Sequence, residues 1–397
     1  MDERPIGLSL QRCEKAAQQM KVMTLVGTRP ELIKMSRVIA EFDAQLNHIL
    51  VHSGQNYDFE LNQIFFDELG IRKPDHFLGV NNDSPAKAIA DVIAKTDEVL
   101  NVERPDALLL YGDTNTCIAV IAAKRRQIPV FHMEAGNRCF DQRVPEELNR
   151  KVLDHLSDVN LVLTEHARRY LLEEGIRPET IIKTGSHMQE VLQFYMPKIE
   201  ASDILTRLGL EERKFFLVSI HREENVDSVE NLGDILSTLR DLAGKYGYPV
   251  LASTHPRTRK RLDAIGRIDL DDRIIFAKPF GFIDYIRLQM GALCVLSDSG
   301  TITEEASLLN LPAITIRNAH ERPEGMDVGT LVMSGLKSRR VLEAVQVVIN
   351  HHQASSRTFR IVPDYESGPV SKQVLRIVLS YVEYVNRTVW RKRAGGE

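Results

Sequence analysis

The sequence has few cysteines, and none of them has the spacing of a metal site. The four are Cys13, Cys117, Cys139 and Cys294. Scattered single cysteines are typical of free thiols in a reducing compartment, so we expect a cytoplasmic protein. No apolar run is long enough to cross a bilayer, and a net charge of −4 over 397 residues gives no basis for binding nucleic acid or a membrane surface.

The first 20 residues are also unlike the rest of the chain. They are polar and charged, without the uninterrupted apolar stretch of a signal peptide. Strand-like sequence begins only after Met20. We therefore expect residues 1–20 to be a poorly ordered extension, unless Met20 is the real start.

Short apolar runs alternate with amphipathic helical stretches along the rest of the chain. Many runs are apolar at nearly every residue, which is typical of strands covered on both faces in a parallel sheet. This alternation predicts a doubly wound α/β fold. The predicted strands are Val22–Val26, His48–His52, Ala107–Tyr111, Pro129–Met133, Val159–Leu163, Ile181–Lys183, Phe215–Ile220, Pro249–Ser253, Ile274–Ala277, Cys294–Leu296 and Ala313–Ile316.

The strand pattern restarts after a charged helical stretch over residues 196–213, and we place the interdomain linker there, close to Pro197. This organisation predicts two Rossmann-like domains, 21–195 and 196–368, facing each other across a cleft. Candidate site residues should then lie at the carboxyl ends of strands in both domains.

Acidic residues concentrate at the ends of two predicted strands in the first domain. Asp113 and Glu134 each follow a strand, and Glu146 comes just before a helix. Carboxylates crowded at this edge raise one another's pKa, as a proton-abstracting site requires. Taken alone, Asp113 is better explained as a helix N-cap. Paired acidic groups repel each other, however, so their presence at adjacent strand ends favours a functional role.

Two predicted helix starts suit anions. The segment GTRPE (27–31) turns from the first strand into a helix, and Lys34 lies one turn along. In the second domain Ser299 and Gly300 open another helix, where Glu305 is placed to accept from a ribose diol. For the first helix start, the alternative is a plain turn with a surface arginine and a solvated lysine. For the second helix start, the alternative is a capping box. Neither segment contains the GxGxxG of dinucleotide sites.

Basic residues follow the first strand of the second domain. His221 suits an acid/base role or a phosphate contact, and Arg222 could neutralise a leaving group, although a lone loop histidine is usually uninvolved. Residues 321–324 form a charged loop that could close over the site.

Two anion-binding helix starts, a ribose-type carboxylate and an acidic cluster fit a nucleoside diphosphate attached to a sugar, with the cluster facing the sugar.

Together these motifs resemble those of the non-hydrolysing UDP-N-acetylglucosamine 2-epimerases, from about residue 21 to about residue 385. The matching segments are GTRPE (27–31), GDT (112–114), HMEAG (132–136), PEELNR (145–150), HREEN (221–225), SDSGTITEEA (297–306) and ERPEG (321–325). The resemblance implies a GT-B-like pair of domains, the second of which binds UDP. It also implies a homodimer and a helix at 369–390 that packs back on the first domain.

The resemblance further implies an isomerase that inverts C2 of a UDP-2-acetamido sugar without metal or cofactor. UDP would be eliminated to give a 2-acetamidoglycal and would then add back. The family's catalytic residues match Asp113, Glu134, Glu146 and His221. Its UDP contacts match Arg29, Lys34, Ser299, Gly300, Glu305 and Arg322. We extend the predicted UDP and substrate contacts to Arg150, Arg222, His255 and Tyr285.

Two segments depart from the commonest family pattern. Asn137–Val144 resembles the branch that converts UDP-2-acetamido-2,6-dideoxy-L-talose to UDP-N-acetyl-L-fucosamine. Gln55–Asp58 replaces a segment that, in bacterial members, helps to bind a second UDP-N-acetylglucosamine as activator. The resemblance therefore does not carry allosteric activation to this chain.

The leading hypothesis is a 2-epimerase for capsule or O-antigen precursors that acts on the L-talose derivative. The alternative substrate is UDP-N-acetylglucosamine, which would give UDP-N-acetylmannosamine. A GT-B glycosyltransferase is the second class, but it would leave the acidic residues unexplained. A hydrolysing epimerase and a non-catalytic nucleotide-sugar sensor are the remaining alternatives.

Overall fold

The computed structural model describes residues 19–54, 66–81, 83–220, 222–254, 258–259, 261–262, 271–319, 322–353 and 355–392. The chain divides into two compact units. Unit 1 comprises Met1–His187 and Gly368–Glu397, and unit 2 comprises Met188–Ser367.

The strands and helices of the described residues alternate along both units. The strands are β1 (Lys21–Val26), β2 (Asn47–His52), β3 (His76–Phe77), β4 (Ala107–Tyr111), β5 (Val130–Ala135), β6 (Val159–Val162), β7 (Ile181–Lys183), β8 (Phe216–Ile220), β9 (Val250–Thr254), β10 (Ile274–Ala277), β11 (Cys294–Ser297), β12 (Ala313–Thr315) and β13 (Val332–Met333). The α-helices are α1 (Arg29–Gln45), α2 (Pro85–Glu103), α3 (Val120–Arg125), α4 (Pro145–Leu156), α5 (Glu165–Glu173), α6 (Met188–Glu200), α7 (Ile204–Arg207), α8 (Glu223–Val226), α9 (Val229–Tyr246), α10 (Phe282–Gly291), α11 (Ile302–Leu309), α12 (Pro323–Val328), α13 (Ser338–His351) and α14 (Val370–Thr388).

Each unit is built on a parallel sheet. The order in unit 1 is β3-β2-β1-β4-β5-β6-β7, and the order in unit 2 is β10-β9-β8-β11-β12-β13. In both sheets the direction of winding reverses beside the first strand, between β1 and β4 in unit 1 and between β8 and β11 in unit 2. Open α/β sheets bind ligands at the carboxyl ends of the strands at this point.

The predicted α/β fold with two doubly wound parallel sheets is confirmed. The central strands are buried on both faces, as their continuous apolar sequences require; all five residues of β4 are buried. The sequence analysis missed β3 and β13. Each has only two residues and lies at the edge of its sheet, so neither has a run long enough to show a pattern.

The passage between the units differs from the predicted linker near Pro197. The division falls between His187 and Met188, and α6 continues through Pro197. Helix α6 buries Tyr195, whose ring packs edge-on against that of Phe282 in α10. Packing of this kind holds a helix together despite the hydrogen bond that an internal proline removes.

Helix α14 belongs to unit 1, where it packs against α1. The side chain of Gln373 donates to the carbonyl of Lys183 at 3.4 Å, and the Tyr381 hydroxyl donates to the carbonyl of Glu179 at 3.1 Å. The helix buries Val374, Val378 and other residues of one face, consistent with an amphipathic helix laid on a core.

The turn after β5 depends on a glycine. Gly136 has φ of +80°, and a Cβ atom there would lie 2.6 Å from the carbonyl oxygen of Ala167 at the start of α5. Gly175 has φ of +84°, but no atom lies within 4 Å of where its Cβ would be. The two positions therefore share the same backbone requirement and differ in packing.

We predict that Gly136→Ala destabilises the protein more than Gly175→Ala. The left-handed backbone should cost each variant about 1–2 kcal/mol of unfolding free energy. The clash with Ala167 should cost Gly136→Ala about 1–3 kcal/mol more. Urea unfolding followed by circular dichroism measures both. Equal losses of unfolding free energy in the two variants would show that α5 moves away from the added methyl group without an energetic cost.

Candidate active site

The segments that follow β1, β2 and β4 in the unit 1 site meet at a glycine. A Cβ atom on Gly27 would lie 2.1 Å from Thr116 Oγ1 and 2.3 Å from Ser53 Oγ. These two hydroxyls are hydrogen-bonded to each other at 2.8 Å. Only glycine therefore lets the turn after β1 approach the segments that follow β2 and β4.

Helix α1 starts at this turn and is capped by Thr28 and Glu31. Glu31 Oε2 accepts from the Gly27 amide at 2.5 Å, and Oε1 accepts from the Thr114 hydroxyl at 2.7 Å. Burial raises the pKa of Glu31 to about 7, against the lowering effect of these hydrogen bonds. Arg29, half-buried, is the first residue of the helix, where an anion is favoured.

Glu134 leaves β5 through a bulge. The register shifts between Met133 and Ala135, and Glu134 has φ of +64°. A non-glycine residue in the left-handed region is strained, and such strain concentrates at functional sites. The carboxylate accepts from the Tyr111 hydroxyl and, at 3.3 Å, from the side-chain amide of Asn137.

Lys34 forms an ion pair with Glu134. Its Nζ lies 3.1 Å from Glu134 Oε2, and the lysine is 5% exposed. It also lies 5.5 Å from the centre of the Tyr111 ring. The solvated alternative for Lys34 is thereby wrong, because its side chain is buried and paired with Glu134. A contact with UDP stays a prediction.

Asp113 has its own buried cation. Arg150 Nε donates to Asp113 Oδ2 at 2.7 Å, and Arg150 also donates to Glu147 Oε2 at 3.0 Å. The neighbouring Asn149 donates to the Asp113 carbonyl at 2.9 Å. Helix α4 thus holds the end of β4 through two successive residues, and the motif PEELNR forms the first half of this helix.

Glu146 and Glu147, adjacent in the first turn of α4, differ in environment. Glu146 is half-buried, whereas Glu147 is 1% exposed and accepts from the amides of Cys139 at 3.1 Å and Phe140 at 3.2 Å. Burial favours a higher pKa for Glu147, but these hydrogen bonds and Arg150 outweigh it and lower the pKa. Glu147 therefore ties the loop after β5 to the Arg150–Asp113 pair.

In unit 2, Asp298 orders the segment after β8. Its Oδ2 accepts from the Arg222 amide and from the side chain of Asn225, both at 3.0 Å, and its carbonyl accepts from Arg222 Nε at 3.0 Å. Asp298 is fully buried and follows β11. The predicted residue Arg222 thus lies at the point where the unit 2 sheet reverses its winding.

The turn from β11 into α11 is closed by its own hydroxyls. The hydroxyls of Ser299 and Thr301 are hydrogen-bonded at 3.0 Å, and Ser299 Oγ accepts from the Thr301 amide at 3.3 Å. Gly300 lies between them. One turn into the helix, Glu305 is buried and accepts from Gln289 at 2.7 Å. Burial and the Glu305 carboxylate raise the pKa of Tyr285 well above its usual range.

The loop that carries Arg322 packs on α11. Arg322 is 3% exposed and its guanidinium lies 3.4 Å from the carboxylate of Glu304. Glu324, whose pKa burial raises, accepts from the Tyr365 hydroxyl at 2.6 Å. The structure therefore brings Arg322 to the same helix as the Ser299–Gly300 turn and Glu305.

Some predicted residues lie outside the part of the chain that the structure describes. These are His221, His255, the segment Gln55–Asp58, Glu321 of the charged loop and residues 1–18 of the predicted extension. Among the described residues, no helix is long and apolar enough to span a membrane. The same residues contain no group of three or more His, Cys, Asp or Glu side chains arranged as metal ligands.

Sequence reasoning missed several contacts of the candidate carboxylates. Tyr111 and Asn137 bind Glu134, and Glu147 links Arg150 to the loop after β5. Tyr111 and Asn137 flank quoted motifs, so their positions offered a signal. The sequence offered no such signal for Glu147. Adjacent residues in the first turn of α4 differ in burial, and only the position of the helix shows which of them is buried.

Two of the candidate carboxylates are each held by a buried cation, Asp113 by Arg150 and Glu134 by Lys34. These cations offset the repulsion between the two carboxylates at the carboxyl edge of one sheet. Carboxylates presented in this way can accept a proton from a bound metabolite and return one to it.

Comparisons with known proteins show the family of this chain. The family described as UDP-N-acetylglucosamine 2-epimerase matches residues 40–379. A solved UDP-N-acetylglucosamine 2-epimerase from Rickettsia bellii is 60% identical, and the match covers 94% of this chain and all of that one with a TM-score of 0.89.

More distant relatives share the same fold. The UDP-GlcNAc 2-epimerase of Methanocaldococcus jannaschii, solved in complex with UDP-GlcNAc and UDP, is 30% identical with a TM-score of 0.84, covering 91% of this chain and 100% of that one. The UDP-2,3-diacetamido-2,3-dideoxy-D-glucuronate 2-epimerase of Pseudomonas aeruginosa is 33% identical over 333 residues, covering 82% of this chain and 92% of that protein. The chain belongs to the UDP-N-acetylglucosamine 2-epimerase family and is a carbohydrate isomerase of that type.

Proposed function

We propose that this enzyme inverts C2 of UDP-2-acetamido-2,6-dideoxy-L-talose to give UDP-N-acetyl-L-fucosamine, without hydrolysis. The observation that carries the epimerase chemistry is the pair Asp113 and Glu134, at the ends of the adjacent strands β4 and β5, each with a buried cation. The relatives' names support UDP-sugar 2-epimerisation. The choice of sugar is supported by the loop after β5.

The proposed reaction needs two proton transfers and no redox step. A carboxylate takes the C2 proton, the C2 electron pair forms the C1–C2 double bond, and the C1–O bond breaks so that UDP leaves with its electrons. UDP then adds back to C1 of the 2-acetamidoglycal while C2 receives a proton on the opposite face. The C2 proton is weakly acidic because no carbonyl adjoins it, so UDP departure must be assisted.

We assign that assistance to the anion-binding helix starts. Arg29 at the first turn of α1 and the Ser299–Gly300 turn of α11 both offer groups that stabilise negative charge. In our proposal Glu305 holds the ribose, and the ion pair with Lys34 holds the Glu134 carboxylate in place to accept a proton. His221 is the proposed acid/base partner in unit 2.

The loop Asn137–Val144 supports the L-talose substrate through its connections. Asn137 contacts Glu134 directly, and the amides of Cys139 and Phe140 bind Glu147, which in turn holds Arg150. Any sugar bound at Glu134 must therefore suit this loop. Phe140 is largely exposed on it, with φ of +57°. An apolar side chain suits a 6-methyl group better than a 6-hydroxymethyl group, whose hydroxyl needs a polar partner.

We predict that Glu134→Gln loses turnover but keeps its affinity for UDP. The amide cannot accept the C2 proton, so kcat should fall by about 100-fold or more. The control is Glu103→Gln, which breaks a comparable pair with Lys21 at 3.3 Å elsewhere in unit 1. Initial rates and UDP titration calorimetry measure both effects. Wild-type turnover in Glu134→Gln would end its catalytic assignment.

We predict that Arg29→Ala weakens UDP binding. Loss of a charge-assisted hydrogen bond to the diphosphate should cost roughly 1.5–3 kcal/mol of binding free energy. Arg37→Ala, two turns further along α1, is the control and should bind as the wild type does. Calorimetry with UDP decides the matter, since an unchanged affinity in Arg29→Ala would place the diphosphate elsewhere.

The choice of sugar is tested by proton NMR in deuterium oxide. UDP-2-acetamido-2,6-dideoxy-L-talose and UDP-N-acetylglucosamine are supplied in separate tubes. We expect deuterium at C2 and formation of the epimer in the L-talose tube. Exchange confined to the UDP-N-acetylglucosamine tube would overturn the proposed substrate but keep the reaction. The absence of exchange in both tubes, with folded protein, would count against the proposed substrate and against the proposed reaction.

A further inference from the structure

The buried face of α4 carries an aspartate that is connected to the carboxyl ends of two strands, to one of them through a histidine. Asp154 and His132 are each 1% exposed, and Asp154 Oδ1 lies 2.8 Å from His132 Nδ1. The other ring nitrogen, Nε2, lies 2.8 Å from the carbonyl oxygen of Gly112. Gly112 immediately precedes Asp113, and His132 is two residues before Glu134.

These contacts place the His132 ring between two acceptors. A carbonyl oxygen only accepts hydrogen bonds, so Nε2 of His132 donates to Gly112, while Nδ1 lies at ion-pair distance from the Asp154 carboxylate. Burial favours a higher pKa for Asp154, but His132 and Arg138 outweigh it and lower the pKa.

Asp154 also binds the turn that follows Glu134. Both of its carboxylate oxygens accept from the Gly136 amide at 3.2 Å, and Oδ2 accepts from Arg138 at 2.7 Å. Arg138 in turn forms a two-bond ion pair with Glu174 at 2.8 and 2.7 Å. Arg138 therefore joins the carboxylates of Asp154 and Glu174 next to the turn that contains the left-handed Glu134.

We propose that Asp154 is a positioning residue, which aligns Asp113 through His132 and Glu134 through the Gly136 amide. The inference rests on the proposed catalytic role of Asp113 and Glu134. One side chain joins the β4 end to the β5 end, so the relative placement of the two carboxylates depends on it. A displacement of about 1 Å in such groups lowers rates by roughly 100-fold.

The chain supplies a matched control at the other end of the same strand. Asp158 is also buried; it accepts from the Val130 amide at 2.9 Å and pairs with Lys124 at 2.5 Å. Val130 begins β5, whereas Gly136 follows its end. Asp154 and Asp158 thus make similar contacts with β5, but only Asp154 reaches its carboxyl end.

The test compares Asp154→Asn with Asp158→Asn in the full-length enzyme. We expect kcat of Asp154→Asn to fall by about 100-fold. KM should stay within about threefold, because substrate-binding groups are untouched. Asp158→Asn should lose stability in urea unfolding but keep its kcat. Wild-type kcat in folded Asp154→Asn, or an equal loss of kcat in both variants, would overturn the proposal.

A second readout does not depend on turnover. Amide hydrogen exchange at Gly136 should accelerate in Asp154→Asn and stay unchanged in Asp158→Asn. If Asp154→Asn does not fold, His132→Gln replaces it: the glutamine amide can donate to Gly112 but has no second nitrogen to lie beside Asp154, and kcat should fall again. If wild-type enzyme turns over neither UDP-sugar, the proposed function fails separately, and unchanged Gly136 exchange would still overturn the positioning role.

Discussion

Glu134 occupies a left-handed backbone conformation at the end of a buried parallel strand, and the arrangement of the unit 1 site depends on it. The bulge turns the carboxylate toward Lys34, Tyr111 and Asn137. Such a conformation persists only where the surroundings impose it. Here the next turn is held by the contact between Gly136 and α5 on one side and by Asp154 on the other.

The charges of the site are arranged in pairs. Lys34 and Arg150 each hold one carboxylate, and both cations are almost fully buried. Removing one member of such a pair leaves an uncompensated charge, which is costly. The two carboxylates thus have compensated charges while the sheet around them remains apolar. Glu147 links Arg150 to the loop that we associate with the choice of sugar.

In unit 2, buried carboxylates and hydroxyl groups fix the turns of the candidate site. Asp298 fixes the segment after β8, Ser299 and Thr301 close the turn into α11, and Glu304 holds Arg322 against that helix. These features lie at the winding reversal of the unit 2 sheet. They suit a nucleoside diphosphate, and relatives solved with UDP belong to the same family.

The sequence by itself determined the α/β class, nearly all the central strands and the family, because continuous apolar runs and ordered motifs are local properties of the chain. It also placed Asp113 and Glu134 at strand ends. Only the tertiary structure decided that Lys34 pairs with Glu134, that α6 runs through Pro197, and that Asp154 joins two strand ends through His132. These contacts join residues far apart in the chain, and their partners are selected by packing, which no local pattern records.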